Sequence, residues 1–188
     1  MSDKIKILFD SYHLYHLPQF EPLIDLLGTD KRFDIFHSTS NEIPNQEYEL
    51  CSSILRKKPG VFIEAETEKI RQEKIKNLDL NFFICGWSRY DIDKYVTRKT
   101  IVGMIYHGIG IKPSYWLDNH QRLDLRFVEG EYRVNQLQQN GIDTRLELTG
   151  FIKLDPIFQK NKIDINNIKQ KYNLDPSKKT ILFAPTFY

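Results

Sequence analysis

Cysteine is scarce in this chain. Cys51 and Cys85 are the only two in 188 residues, and no Cys-x-x-Cys pair exists, so neither a disulfide framework nor a cysteine zinc site organises it. A chain of this length buries enough surface to fold without either. Cys85 lies in the run Phe82-Phe83-Ile84-Cys85, where a free thiol is expected to pack as a small hydrophobe. Long apolar runs are missing too: nothing approaches the ~18 residues of a membrane span. Met1-Ser2-Asp3-Lys4 leads straight into a strand-like segment, without the basic and apolar regions of a secretory signal. These features point to a cytoplasmic protein. An excess of one charge is also absent. With 27 Lys+Arg against 25 Asp+Glu, the formal net charge is +2, too little to hold nucleic acid by bulk electrostatics. Arg56-Lys57-Lys58 is the densest basic run of the first half. It reads as a solvated loop, with peripheral contact to the inner face of the plasma membrane as the sharper reading; three charges would hold that contact weakly.

What is present is globular: 40% of the residues are hydrophobic and 28% charged. Short β-branched or apolar runs predict strands at Lys4–Phe9, Phe33–Phe36, Gly60–Ile63, Leu78–Cys85, Thr100–Tyr106, Leu123–Val128, Arg145–Leu148 and Lys179–Ala184. Between them, Leu17, Phe20, Ile24 and Leu27 recur at helical spacing, with Gly28 as a stop. A weaker helix fits 43–55, and a charged, exposed one fits 65–77, with Ile70 and Ile75 as its apolar points. A further helix fits 131–140, with Val134 and Leu137 inward and Gly141 at the C′ position. Asp164 is placed to cap another, carrying Ile165, Ile168 and Tyr172. Alternating strands and helices, with several strands apolar throughout, predict a Rossmann-like α/β fold: a mainly parallel sheet with helices on both faces. Asn173-Leu174-Asp175-Pro176-Ser177 is turn-rich. The preferred organisation is one domain over 1–175, with 176–188 as a linker and the first strand of a second domain.

In such sheets ligands bind beyond the carboxyl ends of the strands. After the fifth strand comes Tyr106-His107-Gly108-Ile109-Gly110-Ile111-Lys112. His107 suits a general base. Gly108 and Gly110 allow close approach of backbone to ligand, and Lys112 suits a phosphate. After the first strand, His13 and His16 are candidates to line the same cleft; as a metal pair they lack a third ligand. After the seventh strand, Gly150, Lys153 and Asp155 form a turn with charge on it. Each position also has a plain reading as a structural histidine, cap or turn residue.

Three segments, taken in order, carry a resemblance: Tyr106-His107-Gly108 to Lys112, Thr149-Gly150 to Asp155, and Ile181-Leu182-Phe183-Ala184-Pro185-Thr186-Phe187. Together they resemble the CDP-glycerol glycerophosphotransferases, which build teichoic-acid-like and capsular polyol-phosphate polymers. That family shows a His-Gly-Thr-Pro-Leu-Lys-like loop, a Gly-x-Pro-Arg-x-Asp-like turn and an Ile-Leu-Tyr-Ala-Pro-Thr-Phe strand. Ile109-Gly110 stands here in place of Thr-Pro, and Ile152-Lys153 in place of Pro-Arg. The resemblance covers roughly 95–188. It implies the N-terminal, acceptor-side domain of a GT-B-type pair of Rossmann-like domains, and a CDP-alcohol donor bound mostly by a C-terminal domain, in cis or as a separate chain. It also implies a hydroxyl acceptor on a polymer or lipid-linked carrier, His107 as base, and no metal or cofactor. The alternatives are a sugar-nucleotide glycosyltransferase, an enzyme like UDP-N-acetylglucosamine 2-epimerase, or an inactive binding module.

Overall fold

The computed structural model describes residues 4–110, 112–117, 122–158 and 164–183. The chain divides into a larger compact unit ending at Asp155 and a smaller one beginning at Pro156. The larger unit runs β1 (Ile5–Asp10), α1 (Leu17–Leu27), β2 (Phe33–Ser38), α2 (Asn45–Leu55), β3 (Val61–Phe62), α3 (Glu68–Lys76), β4 (Phe82–Cys85), β5 (Ile101–Ile105), β6 (Leu125–Val128), α4 (Glu131–Gln139) and β7 (Arg145–Leu148). The short α5 (Asp155–Phe158) and α6 (Ile165–Lys171) follow.

The strands form one sheet in the order β3-β2-β1-β4-β5-β6-β7, and every pairing is parallel. The fold is Rossmann-like α/β, as its alternating pattern predicts. Alternate strand residues enter opposite layers, because successive side chains of a strand point to opposite faces. Leu8, Phe83, Cys85, Val102 and Met104 pack on one face with Ile75 of α3 and Leu137 of α4. Ile7, Phe9, Ile84 and Ile105 pack on the other with Phe20 and Ile24 of α1. Leu8, Phe83 and Val102 are fully buried, each worth roughly 1.5–3 kcal/mol. Cys85 is buried and free, as expected, and so is Cys51. α4 ends as its sequence implies. Gly141 takes φ +74°, and the Ile142 amide returns to the Leu137 carbonyl at 3.0 Å, which is the glycine C′ closure.

Four expectations need correction. α3 is not simply an exposed charged helix: Arg71 is fully buried and Glu68 nearly so, because both find ionic partners inside. β4 begins at Phe82 rather than Leu78, since α3 closes over Leu78 and Asp79 takes φ +49° to turn the chain. Asp164 does cap α6, accepting from the Asn167 amide at 3.1 Å, but Ile165, Ile168 and Tyr172 all stay exposed. No strand forms over 179–183, where Ile181, Leu182 and Phe183 are 92%, 86% and 85% exposed; the rest of that segment, 184–188, lies outside the described residues.

Two members of the basic run are neutralised locally. Arg56 pairs with Glu64 at 2.6 Å, and Lys58 with Glu21 and Asp25 at 3.1 and 3.0 Å. Among the described residues, no helix is long and apolar enough to cross a membrane.

Candidate active site

The strand order decides where a ligand can enter. From β1 the chain moves outward to β2 and β3, then returns to β4 on the other side of β1 and continues through β5, β6 and β7. The connections therefore leave β1 and β4 in opposite directions and open a crevice at their carboxyl ends, the usual ligand position of a doubly wound sheet. The loop after β1 carries His13 and His16, and the loop after β4 carries Gly86 and Trp87. His107 follows β5, next to β4.

These loops meet. The His16 ring lies 5.1 Å from the His107 ring and 5.7 Å from the His13 ring, centroid to centroid. Tyr15 stacks on His13 at 4.9 Å and tilts against His107 at 5.1 Å. Tyr12 packs on Trp87 and Tyr90. Thus His13, His16 and His107, chosen separately for their positions after strands, share one cluster. Among the described residues, no group of three or more His, Cys, Asp or Glu is placed to hold a metal ion.

Hydrogen bonds fix the state of His107. Its Nδ1 is 2.9 Å from the Gly86 carbonyl, and a carbonyl only accepts, so Nδ1 carries the proton. Nε2 is then left as the acceptor of the neutral ring. It receives the Tyr115 hydroxyl at 3.1 Å. Burial is the main force lowering the pKa of His107; the Gly86 carbonyl opposes it, while Lys153, Arg89 and Lys112 add to it. The ring is thereby held neutral near pH 7. His16 is more extreme. It is completely buried, and burial, helped by His107 and His13, pushes its pKa down to about 2. The His13 amide donates to its Nδ1 at 3.3 Å, which places its proton on Nε2, an atom with no partner among the described residues.

The glycines are there for space. A Cβ on Gly86 would sit 2.8 Å from Cγ of His16, and one on Gly110 would sit 2.3 Å from the Tyr115 ring. Gly108 faces the Tyr115 hydroxyl, 3.0 Å from where a Cβ would lie. Arg133 holds this loop from behind. It donates to the Gly110 carbonyl at 2.9 Å, pairs with Glu129 at 2.8 Å, and lies over the rings of Tyr106, Tyr115 and Trp116. Lys112 and Lys153 are exposed and close enough to bias His107. Gly150 takes φ +79°, a turn that brings the chain round to Lys153. No described contact joins Asp155 to the cluster; it opens α5 and is exposed.

Beneath the cluster lies a buried ionic network that the sequence reading missed. Arg71 and Asp10, both fully buried, pair at 2.6 Å. Arg71 also pairs with Glu68 at 2.5 Å. The second oxygen of Asp10 accepts from the Tyr90 hydroxyl at 2.6 Å and the first from Ser38 at 2.7 Å. Glu68 accepts from the Tyr95 hydroxyl, Ser40 and the Asn41 amide. Burial works against each charge. For Arg71 the nearby carboxylates outweigh it and raise the pKa; for Glu68 the guanidinium outweighs it and lowers the pKa. Tyr90 follows β4, so this network ties the β4 loop to the end of β1.

The molecule is thus a doubly wound α/β protein with an aromatic-lined imidazole cluster at its switch point, in which burial keeps His16 and His107 neutral, an arrangement that suits polar transfer chemistry. Residues 110–188 match the family model of CDP-Glycerol:Poly(glycerophosphate) glycerophosphotransferase. This match supports the family resemblance carried by the sequence motifs, and with it a transferase of the glycerophosphotransferase type. Gly110, Lys112, Gly150, Lys153 and Asp155 fall inside the matched span; His13, His16, His107 and Gly108 precede it. No curated protein matches the chain.

Proposed function

We propose that the chain forms the acceptor-side half of a glycerophosphotransferase, with the CDP-alcohol held mostly by a C-terminal domain in cis or by a separate chain. An acceptor hydroxyl, on a cell-surface polymer or a lipid-linked carrier, attacks the β-phosphorus of the donor. The new P–O bond forms as the bond to the bridging oxygen breaks, and CMP departs with that oxygen. His107 takes the hydroxyl proton on Nε2. The observation that carries this reading is the tautomer of His107: its Nδ1–H is committed to Gly86, and its Nε2 already faces a hydroxyl, that of Tyr115 at 3.1 Å. The acceptor hydroxyl takes the place of the Tyr115 hydroxyl. Lys112 and Lys153 offset phosphate charge, Gly108 and Gly110 shape the loop, His13 and His16 line the cleft, and Gly150 and Asp155 form its far rim. Catalysis then rests on positioning and electrostatics more than on covalent chemistry.

The test uses the protein together with its donor half. His107→Ala is expected to lower kcat by ~10²–10⁴, the usual contribution of a positioned base, with KM for CDP-glycerol nearly unchanged and the thermal melt preserved. Lys112→Ala is expected to raise KM for an anionic substrate more than it lowers kcat. Activity of His107→Ala that falls only in proportion to folded protein refutes the assignment. Turnover of UDP-sugars in preference to CDP-glycerol would move the chemistry to glycosyl transfer.

A further inference from the structure

A second concavity lies at the same edge of the sheet, beyond the carboxyl ends of β2 and β3. It encloses about 830 Å³ and is lined by Asn41, Tyr48, Glu49, Glu64, Glu66 and Lys74, within the size range of small-molecule sites, roughly 300–1,000 Å³. None of these residues belongs to the histidine cluster. The loop between β2 and α2 and the first turn of α2 separate the two places: Glu42 of the loop accepts from the Tyr12 hydroxyl at 2.6 Å and Glu47 of α2 from the Leu14 amide at 2.8 Å, while Asn41 of the loop and Tyr48 of α2 line the cavity.

The lining is rich in acceptors. Three carboxylates stand against one ammonium, and both Lys74 and Glu64 are already engaged: Lys74 donates to the Glu64 carbonyl at 2.7 Å, and Arg56 holds the Glu64 carboxylate at 2.6 Å. Asn41 is anchored twice, through its amide Nδ2 to the Ala65 carbonyl and through its backbone N–H to Glu68, each at 2.8 Å. Its Oδ1 is enclosed by protein and makes no hydrogen bond among the described residues, so the acceptors open to a ligand are the exposed Glu49 and Glu66 carboxylates. The Tyr48 hydroxyl sits near Glu64 and Asn41; burial and Glu64 raise its pKa, so it stays protonated. Ile43 and Ile70 add an apolar wall.

We infer that this cavity binds a hydroxyl-rich group of monosaccharide size, neutral or amine-bearing, and rejects phosphate. Hydroxyl and ammonium donors satisfy the carboxylates. The C–H face of a sugar ring suits Tyr48 and the isoleucines. A phosphate would meet the carboxylates of Glu49 and Glu66 with only the Lys74 ammonium to offset them, since Glu64 is held by Arg56, a net like-charge contact.

Backbone-amide NMR titration of the native protein tests this with glucose, glucosamine and glucose 6-phosphate at constant ionic strength. The expected result is saturable shifts at Asn41, Tyr48, Ala65 and Glu66 with glucose or glucosamine, with Kd in the ~1–10 mM range, and none with glucose 6-phosphate. Glu66→Gln, at an exposed position, should weaken glucosamine by ~1.4–5-fold and leave glucose unchanged while the unperturbed spectrum stays native; the size is one exposed charge contact of about 0.2–1 kcal/mol converted to a ratio of Kd. Absence of shifts with both sugars up to ~100 mM, or glucose 6-phosphate binding as tightly as glucose, overturns the inference. Neither result bears on His107, because the amides read are outside the histidine cluster.

Discussion

Lowering the pH from 7 to 5 is expected to remove about 4 kcal/mol of stability before the carboxylates titrate. His16 and His37 are both completely buried. Burial pushes the His37 pKa down to about 4 and, with help from neighbouring histidines, that of His16 to about 2. His37 makes no hydrogen bond through either ring nitrogen among the described residues, and its ladder neighbours are Phe9 and Phe62, so a proton there has nothing to rest against. Both rings stay neutral in the folded protein, while in the unfolded chain they take up protons below about pH 6.5. The unfolded state therefore binds more protons, and stability falls as pH drops. It is complete above pH 6.5 and is lost progressively towards each folded pKa. At pH 5 the medium is about 1.5 units below the unfolded pKa, so each histidine costs about 2 kcal/mol at about 1.4 kcal/mol per unit. Against a total of ~5–15 kcal/mol that is a large share. Urea unfolding at pH 7, 6 and 5, at fixed ionic strength, measures it. His37→Leu should remove about half of the slope between pH 7 and 5. A slope unchanged in that variant, or flat stability in the parent, refutes the reasoning.

Three further outcomes follow from the same geometry. Arg71→Met leaves Asp10 and Glu68 buried without their cation and should cost ~3–5 kcal/mol in urea unfolding; a loss under ~1 kcal/mol would mean that solvent reaches the pair. Gly86→Ala forces a methyl into the His16 ring and should cost ~1–3 kcal/mol by thermal melting while shifting the His107 ring resonances; unchanged resonances would show that the two rings do not share this residue. Hydrogen exchange at Ile181–Phe183 should approach the free-peptide rate, whereas Val102–Ile105 exchanges only on global opening; equal protection would place the terminal segment in a folded element.

The sheet was legible because its strands are short apolar runs, and the first seven occur where those runs lie. Their order was not. Nothing local in Phe82–Cys85 says that it lies beside β1, so the convergence of the loops after β1, β4 and β5 emerged only from the pairing. The rule that ligands lie beyond strand ends was enough to single out His13, His16 and His107, whose rings the fold brings into one cluster. It passed over Gly86, whose role depends on the neighbours of β4, and Tyr115 and Arg133, which reach the site from beyond the motif. Arg71 was missed for another reason. A charged helix reads as solvated, and its partner Asp10 lies 61 residues away. α6 failed in the opposite sense: an apolar spacing of Ile165, Ile168 and Tyr172 makes a helix without saying what covers that face.

The group that orients His107 is a main-chain carbonyl, not a carboxylate. A carboxylate partner would lend negative charge and raise the basicity of the ring; a carbonyl fixes the tautomer with much less of that effect. The ring therefore keeps the lowered basicity that burial gives it. Such an arrangement also resists point mutation. No substitution can delete a carbonyl, so the orientation is lost only when the path of the backbone at the end of β4 changes. That path is held on both sides by the β1 and β5 ladders, which makes the orientation of the His107 ring a property of the middle of the sheet rather than of the loops around it.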